Sequence, residues 1–401
     1  MQDVPAMRAP RQMLLREVFR AFLKLGLTSF GGPIAHIGYF REEFVLRRRW
    51  MEDADFADLV ALCQFLPGPA SSQLGFVLGI LRTGSLLGGL LAWAAFTLPS
   101  AAVLVACGLG FAHVGGLEGL VHGLKLVAVA VVAQAVWGMA RTLAPDGLRA
   151  AIALAALASS LLMPGAFGQI LAIAGGAFAG LALCGGGVPA SIGALSVPVS
   201  VRRGAIGLGL WAALLIGLPA AAMLTHNHAV HLVSAFYQAG SLVFGGGHVV
   251  LPLLQEAVVA PGWVSEADFL AGYGLAQAVP GPLFTFAAYL GSVASPWPNG
   301  IAGAGLALVA IFLPGLLLAY GMLPFWDRLR ALPRLQAAMR GTNAAVVGVL
   351  GAALYMPVWT SAVLTPLDFV LALCGFLALT LWRVAPWIGV VVLAAIAWIF
   401  A

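Results

Sequence analysis

Two motifs rich in glycine and proline interrupt the apolar sequence near the start of the chain, and both occur a second time. A Phe-Gly-Gly motif begins at Phe30 and recurs about 214 residues later at Phe244, and a Pro-Gly-Pro motif begins at Pro67 and recurs at Pro280. Glycine exposes the backbone and proline lacks an N–H, so each motif leaves peptide groups that helical hydrogen bonding cannot satisfy. In lipid, such groups are tolerated where they line a cavity enclosed by protein. The four breaks are therefore predicted to form a cavity around which the rest of the chain is arranged.

Composition indicates that lipid is the solvent of this chain. Of its 401 residues, 62% are hydrophobic and 9% are charged, whereas a soluble domain carries about 25% charged residues. Apolar segments long enough to cross about 30 Å of hydrocarbon recur along the chain, and none shows the period-two pattern of a membrane barrel. The predicted fold class is an all-α integral membrane protein, a polytopic helical bundle of two inverted-topology repeats with broken or re-entrant helices. The first segment carries Arg20 and Lys24 and has no cleavage site, so no removable signal peptide is expected.

The apolar segments divide the chain into two similar parts. Residues 11–25 are amphipathic and predict an interfacial helix. Short apolar helices are expected at 54–66 and 70–81, and neither is long enough to span a bilayer alone. Longer apolar segments follow at 84–111, 119–141, 148–163, 168–184 and 205–224. The predicted organisation is a first repeat at 1–184, a linker and connecting span at 185–230, and a second repeat at 231–401.

The distribution of arginine predicts that the two repeats are inverted. The loop at 41–50 holds four arginines, whereas the matching loop at 255–265 holds no Lys or Arg. Conversely, the loop at 327–340 holds four arginines and its counterpart at 112–122 holds none. Basic loops face the cytoplasm, so the basic side swaps between repeats, as in transporters built from inverted repeats. This places the N-terminus in the cytoplasm and the chain in the inner membrane of a bacterium.

Helix N-termini after the Pro-Gly-Pro turns form the predicted substrate site. A helix N-terminus carries about half a positive charge and binds oxyanions without any side chain, so two facing termini suit a divalent tetrahedral anion. The alternative is that these motifs are only tight turns and helix-packing patches. One isolated copy would favour that alternative, but the symmetric recurrence of both motifs favours the site. The predicted substrate-binding residues are Phe30, Gly31, Gly32, Gln64, Pro67, Gly68, Pro69, Lys125, Phe244, Gly245, Gly246, Gln277, Pro280, Gly281, Pro282 and Asn343.

Lys125 belongs to this set because it is a lysine within a long apolar segment, and Asn343 occupies the matching place in the second repeat. Ionisable residues inside a membrane are functional by default, so Lys125 is a candidate counter-charge for the anion. The alternative is that it snorkels to the interface, since it lies near the start of its segment.

Four side chains beside the breaks are candidates for proton coupling: His36, Glu42, His248 and Glu256. A histidine there could bind the anion when protonated or carry the coupled proton, and a packed polar residue is the alternative. For Glu42, an ion pair with a nearby arginine is the favoured interpretation. Three histidines at 226, 228 and 231 could ligate a metal, although a solvated polar loop is favoured; no metal and no cofactor are predicted.

The motifs at these positions resemble the chromate ion transporter family in its long, two-domain form. The resemblance is carried by the Phe30-Gly31-Gly32-Pro33 segment with Glu42 and Trp50 downstream, by Gln64 with its Pro-Gly-Pro turn, and by their second copies. The resemblance implies efflux of chromate from the cytoplasm and chromate resistance, with sulfate as the physiological look-alike. The chain departs from its own first copy at Gly247-His248, where the first motif has Pro33-Ile34.

Several functions remain open at this point. The first is a secondary transporter that exports chromate by antiport or on the membrane potential. The others are an importer or exchanger of sulfate or another oxyanion, and an anion channel. No ATP-binding or hydrolase motif occurs, so the chain is not expected to be an enzyme or to have catalytic residues. The expected partners are chromate or sulfate and the lipid bilayer, without nucleic acid, and a homodimer is left open.

Overall fold

The computed structural model describes residues 10–30, 32–111, 118–163, 166–185, 197–243, 249–329, 332–382 and 384–400. Within these ranges every regular element is helical and no β-strand occurs. Five helices are long and apolar enough to cross a membrane. The prediction of a polytopic helical membrane protein is therefore confirmed. The five candidate spans are Leu86–Gly110, His122–Leu143, Val201–Leu224, Gly300–Phe325 and Pro333–Ala362.

The first part of the chain forms eight helices, α1 to α8. They are α1 Arg11–Thr28, α2 Gly32–Phe40, α3 Asp53–Phe65, α4 Ala70–Thr83, α5 Leu86–Phe111, α6 Glu118–Leu143, α7 Gly147–Leu162 and α8 Ala166–Leu183. The amphipathic segment and the two short helices are thus found where the sequence predicted them. Helices α3 and α4 have 13 and 14 residues, which at 1.5 Å per residue gives about 20 Å each, less than a bilayer requires.

After α9 (Val201–Leu224), the same order of elements is repeated. Each of the first five helices of the repeat has a counterpart in α1 to α5, and α16, α18 and α19 correspond to α6, α7 and α8. The helices are α10 His228–Leu242, α11 Val250–Val258, α12 Glu266–Ala278, α13 Phe286–Val293, α14 Gly300–Met322, α15 Trp326–Leu329, α16 Pro333–Ala353, α17 Thr360–Ala362, α18 Pro366–Thr380 and α19 Pro386–Phe400.

The loop predicted at 41–50 is largely a helix, which corrects the sequence interpretation. Residues Arg41–Arg47 continue α2 as a π-helical turn. The carboxylate of Glu43 is buried in this turn and accepts hydrogen bonds from Lys24 (3.0 Å), Arg47 (3.0 Å) and Arg48 (2.7 Å). Because these ion pairs hold the basic side chains against one carboxylate, the segment is ordered rather than a solvated loop.

A second carboxylate extends the same network to α4. Glu17 on α1 accepts hydrogen bonds from the Trp50 indole (3.0 Å) and from Arg82 near the end of α4 (2.9 Å). The guanidinium groups of Arg48 and Arg82 lie 5.9 and 5.1 Å from the centre of the Trp50 ring, within the range of a cation–π interaction. This network, formed by Glu17, Lys24, Glu43, Arg47, Arg48, Trp50 and Arg82, ties together one end of α1, the π-helical turn and α4.

Two glycines at matching positions let the helices of each repeat pack closely. A Cβ atom on Gly26 would lie 2.8 Å from the carbonyl oxygens of Ala95 and Phe96 on α5, and one on Gly240 would lie 2.1 Å from that of Ile311 on α14. Both partner helices contain an internal proline, Pro99 and Pro314 respectively. The contacts of α1 with α5 and of α10 with α14 are therefore the same contact made twice.

Helices α6 and α16 pack against the terminal helix pair of the opposite repeat. Helix α6 packs against α18 and α19, whereas its counterpart α16 packs against α7 and α8. Matching polar contacts join these helices: His122 Nε2 lies 2.7 Å from Asp368 Oδ1, and Arg340 donates from Nε (3.0 Å) and Nη2 (2.6 Å) to the carbonyl of Cys184. The two halves are consequently interlocked, so neither could bury its own apolar faces alone.

The close contact at Gly240 predicts a large effect of one added methyl group. Gly240→Ala should destabilise the protein by about 1–3 kcal/mol, the usual cost of overpacking, because its Cβ would collide with the Ile311 backbone. The matched control is Gly209→Ala on α9, whose Cβ would meet nothing within 4 Å. Thermal unfolding in detergent measures both variants. Equal melting temperatures for the two would contradict the packing described here.

The buried carboxylate of Glu43 predicts a stability that depends on pH. Burial opposes its ionisation, but hydrogen bonds from Arg48 and Lys24 outweigh burial and lower its pKa below the ordinary 4.5. Because the folded pKa is lowered, the stabilisation is present at neutral pH and is lost as the pH falls through and below that ordinary value. Glu43→Gln should cost about 1 kcal/mol at neutral pH, since the paired cations are partly exposed.

The melting temperatures of wild type and Glu43→Gln, measured from neutral to acidic pH, check this expectation. The gap between them should narrow with acidification. Glu42→Gln is the matched control, because Glu42 is exposed on the same turn, and it should melt like the wild type at every pH. A gap that stays constant, or an equal loss in the control, would contradict the assignment.

Candidate functional site

The two Pro-Gly-Pro turns each bind the break of the opposite repeat. The Gly68 N–H donates to the Val243 carbonyl (2.7 Å), and the Gly281 N–H donates to the Ser29 carbonyl (2.8 Å). Ser29 and Val243 both end their helices, α1 and α10, in an extended conformation. Two N–H groups and two carbonyls of the breaks are therefore paired between the repeats, at four places that the sequence motifs marked.

Glycine is required in both turns for two reasons. The φ angles are +120° at Gly68 and +103° at Gly281, a region that other residues rarely adopt. Space is also lacking: a Cβ on Gly68 would lie 3.0 Å from the Cα of Gly315, and one on Gly281 would lie 2.8 Å from the hydroxyl of Ser100. Gly315 follows the proline of α14 and Ser100 follows the proline of α5. Each turn is thus pressed against the proline-containing helix of the other repeat.

Polar groups surround the start of α4. Its first turn carries Ser71, Ser72 and Gln73, all buried. Gln73 donates from its amide to the carbonyls of Pro67 (2.8 Å) and Gly315 (3.1 Å), which fixes the turn to α14. The N-cap is Pro69, whose side chain offers no hydrogen bond, so the first N–H groups of the helix have no partner within α4.

His36 connects this turn to the break at the end of α1. Its Nε2 lies 3.2 Å from the Ser29 carbonyl oxygen and its Nδ1 lies 3.3 Å from the Ser71 hydroxyl. A carbonyl can only accept, so Nε2 carries the hydrogen and Nδ1 of a neutral ring accepts from Ser71. The Ser29 carbonyl therefore receives two hydrogen bonds, one from His36 and one from the Gly281 turn of the other repeat.

The structure brings together only some of the predicted site residues. Pro67, Gly68 and Pro69 of the first turn and Pro280, Gly281 and Pro282 of the second meet at the crossed hydrogen bonds. Gly32, with a φ of +75°, begins α2 beside the first break. Phe30 lies against Trp387 of α19, with ring centres 6.1 Å apart. Residues Gly31, Phe244, Gly245, Gly246 and His248 lie outside the described residues.

Other predicted residues lie in different surroundings. Gln64 is exposed on α3, whereas its counterpart Gln277 has a buried amide nitrogen without a hydrogen-bond partner. Lys125 on α6 is partly buried. Asn343 on α16 has a buried oxygen without a partner, and no hydrogen bond joins it to Lys125.

The glutamates and the outer histidines are also placed by the structure. Glu42 is exposed and Glu256 is partly buried; the ion pairs expected for Glu42 are made by its neighbour Glu43. His231 lies 3.0 Å from the Thr225 carbonyl and His228 lies edge-on to Trp263. Across the described part of the chain, no three His, Cys, Asp or Glu side chains are grouped as metal ligands would be.

Sequence reasoning missed the polar first turn of α4 and the role of Ser100. The signal was available, because Ser71-Ser72-Gln73 follows Pro69 directly and is a polar run within apolar sequence. A polar run in the first turn of a membrane-buried helix lies where the free N–H groups are. Ser100 could not be found in this way, since its closeness to Gly281 arises from packing between the repeats.

Comparison with known proteins gives consistent results over most of the chain. A family model described as "Chromate transporter" matches two regions, residues 16–181 and 230–399. A chromate transport protein of Pseudomonas aeruginosa is 31% identical over 357 residues, covering 87% of this chain and 82% of the relative.

Two further relatives carry similar names. A probable chromate transport protein of Synechococcus elongatus is 27% identical, covering 84% of this chain and 83% of the relative. A chromate transport protein of Cupriavidus metallidurans is 28% identical, covering 84% and 80%. No solved structure matches the chain. The double match of the family model, on the two parts whose breaks meet in the structure, establishes that this chain belongs to the chromate transporter family.

Proposed function

We propose that this protein is a secondary transporter that exports chromate from the cytoplasm of a bacterium across its inner membrane and thereby confers chromate resistance. The observation that carries the proposal is the crossed pair of hydrogen bonds, from Gly68 to Val243 and from Gly281 to Ser29. It brings the Pro-Gly-Pro turn of one repeat to the interrupted backbone of the other, the arrangement in which transporters bind substrate at a repeat interface.

The chemistry of this site suits an oxyanion. The start of α4 offers uncapped N–H groups, buried hydroxyls and the positive end of a helix dipole. Among the described residues, the groups that form this site include no carboxylate. The buried Glu43 is neutralised in its own ion-pair network, and the buried Asp58 on α3 accepts a hydrogen bond from the Trp326 indole (3.0 Å). A doubly negative tetrahedral anion is the substrate class that such a set of donors recognises best.

The two crossed hydrogen bonds support a mechanism of alternating access, because each repeat donates one bond to the other. In the proposed cycle, the inverted repeats rock against each other, so that one Pro-Gly-Pro turn loosens toward one side of the membrane while the other stays closed. The substrate site then opens to the cytoplasm or to the outside, but never to both. The arginine-rich segments at 41–50 and 327–340 were both expected to be loops and are largely helical in the structure. Their basic charge supports a cytoplasmic N-terminus and inverted repeats.

The membrane potential favours export. Moving one charge across 100 mV is worth about 2.3 kcal/mol, so a dianion leaving an inside-negative cell gains about 4.6 kcal/mol, a little over three decades of gradient. Proton antiport would add to this driving force. Uptake of sulfate against the same field would require coupled cations, which makes import the more demanding use of this scaffold.

Reconstituted protein tests the proposal. Liposomes containing the protein should accumulate or release chromate in the direction set by an imposed potential, and sulfate should compete. Trans-side anion should accelerate the flux of a transporter but not that of a channel. Absence of chromate flux from folded protein would overturn the proposal, and sulfate flux without chromate flux would assign the scaffold to sulfate.

Single substitutions in the two turns should abolish transport. Gly68→Ala and Gly281→Ala should each reduce chromate flux at least about ten-fold, because strain at positive φ and the crowded Cβ would displace the crossed hydrogen bonds. Gly262→Ala is the matched control: its φ is +78°, but its Cβ would meet nothing within 4 Å. Normal flux in both turn variants would show that the turns are not part of the site.

A further inference from the structure

The two repeats differ at the crossed turns, although their frame is symmetric. We propose that each chain binds one oxyanion at a time, at the start of α4, and that the matching terminus in the second repeat is a closed structural counterpart. The oxyanion ligands are the first N–H groups of α4 with the hydroxyls of Ser72 and Ser29. This inference rests on the proposed function, because it assigns the substrate to one of its two symmetric termini.

The α4 terminus holds hydrogen-bond capacity that the protein leaves unused. Ser72 is 1% exposed and Ser29 is 0% exposed, and neither hydroxyl has a hydrogen-bond partner. A buried hydroxyl without a partner is costly, so the free hydroxyl of Ser72 in the uncapped first turn of α4, with that of Ser29 at the neighbouring break, points to a ligand that accepts hydrogen bonds. Ser72 belongs to the first turn of α4. Ser29 lies close to the same turn, because the His36 ring bridges the Ser29 carbonyl and the Ser71 hydroxyl.

In the described part of the second repeat, the first turn after the Pro-Gly-Pro motif offers no free side-chain hydroxyl. The free donor on that side, Gln277 Nε2, lies near the end of α12, before the turn. Aligning Gly68 with Gly281 places Phe284 at the position of Ser71 and Thr285 at that of Ser72. The chain there forms a 3₁₀ turn, Leu283–Thr285, in which the Thr285 N–H (3.0 Å) and the Thr285 hydroxyl (2.7 Å) both donate to the Pro282 carbonyl. Phe284 and Phe286 are buried beside it. The two donors of Thr285 are thus already used, and aromatic rings occupy the places of Ser71 and Gln73.

His36 has no equivalent in the second repeat and acts as a positioning residue. The corresponding residue in the second repeat, by the spacing of Phe30 and Phe244, is Val250. Because His36 holds both the Ser29 carbonyl and the Ser71 hydroxyl, it fixes the end of α1 against the first turn of α4. The ring thereby occupies the Ser71 hydroxyl and ties the backbone that carries Ser29 to the turn that carries Ser72.

Matched serine and threonine variants test the assignment in liposomes. Ser72→Ala and Ser29→Ala should each raise the KM for chromate roughly ten-fold or more, the loss expected for a hydrogen bond to a charged group, with little change in maximal flux. Ser72→Thr keeps the hydroxyl and should restore KM. Thr285→Ala, at the matching position, should leave KM unchanged. His36→Leu should raise KM, and His36→Gln should recover part of the loss.

Direct binding separates this inference from the proposed function. Titration of purified protein with chromate should give one site per chain, with weakened binding in Ser72→Ala and Ser29→Ala. Two sites per chain, or an equal loss in Thr285→Ala, would overturn the single-site assignment while leaving chromate transport intact. Unchanged binding in both serine variants, with folding verified by their melting temperatures, would overturn it as well. If wild type neither binds nor moves chromate, the proposed function itself fails.

Discussion

Peptide groups that leave a helix inside a membrane must find new partners, and this requirement organises the protein. Helices α1, α3, α10 and α12 all end at glycine- or proline-containing breaks, and the N–H groups of Gly68 and Gly281 reach across to the carbonyls of Val243 and Ser29. Each of these carbonyls belongs to the other repeat, so each half needs the other to complete the hydrogen bonding of its breaks. The packing of α6 against α18 and α19, and of α16 against α7 and α8, likewise joins each half to the other. The crossed turns therefore exist only where the two halves meet.

The two repeats share the same frame of packed helices but differ in the polar residues beside their Pro-Gly-Pro turns. A transporter needs both properties, for different reasons. The frame requires interchangeable halves, and the paired contacts of Gly26 with α5 and of Gly240 with α14 meet that requirement. Recognition of a small anion requires one well-defined set of donors, and the polar groups are concentrated on the first repeat. In the proposed cycle, a conformational change exchanges the roles of the two halves while the substrate stays with one of them.

The sequence predicted the positions of the breaks but not the hydrogen-bond partners of their backbone groups. Glycine at 68 and 281 is readable because only glycine and proline interrupt helices in this way, and the limits of α3 and α4 followed from that. The exchange of hydrogen bonds arises from tertiary packing, which no local pattern encodes. The ion pair was predicted for Glu42, whereas the buried and paired carboxylate is that of Glu43. The segment was interpreted as a loop, so the helical rotation of about 100° between neighbouring side chains was not taken into account. Gln64, a plausible donor by position, is exposed on α3.

If the crossed turns line the substrate path, chromate should protect a single cysteine placed in them from labelling by a thiol reagent. The four native cysteines, all free, would be replaced, and Ser72→Cys would be labelled with a membrane-impermeant thiol reagent applied to either side of sealed vesicles. The reagent should reach the cysteine at position 72 from both sides of the membrane, and chromate should slow the labelling from each side. Labelling that is absent from both sides, or that chromate does not affect, would contradict the assignment of the crossed turns to the substrate path.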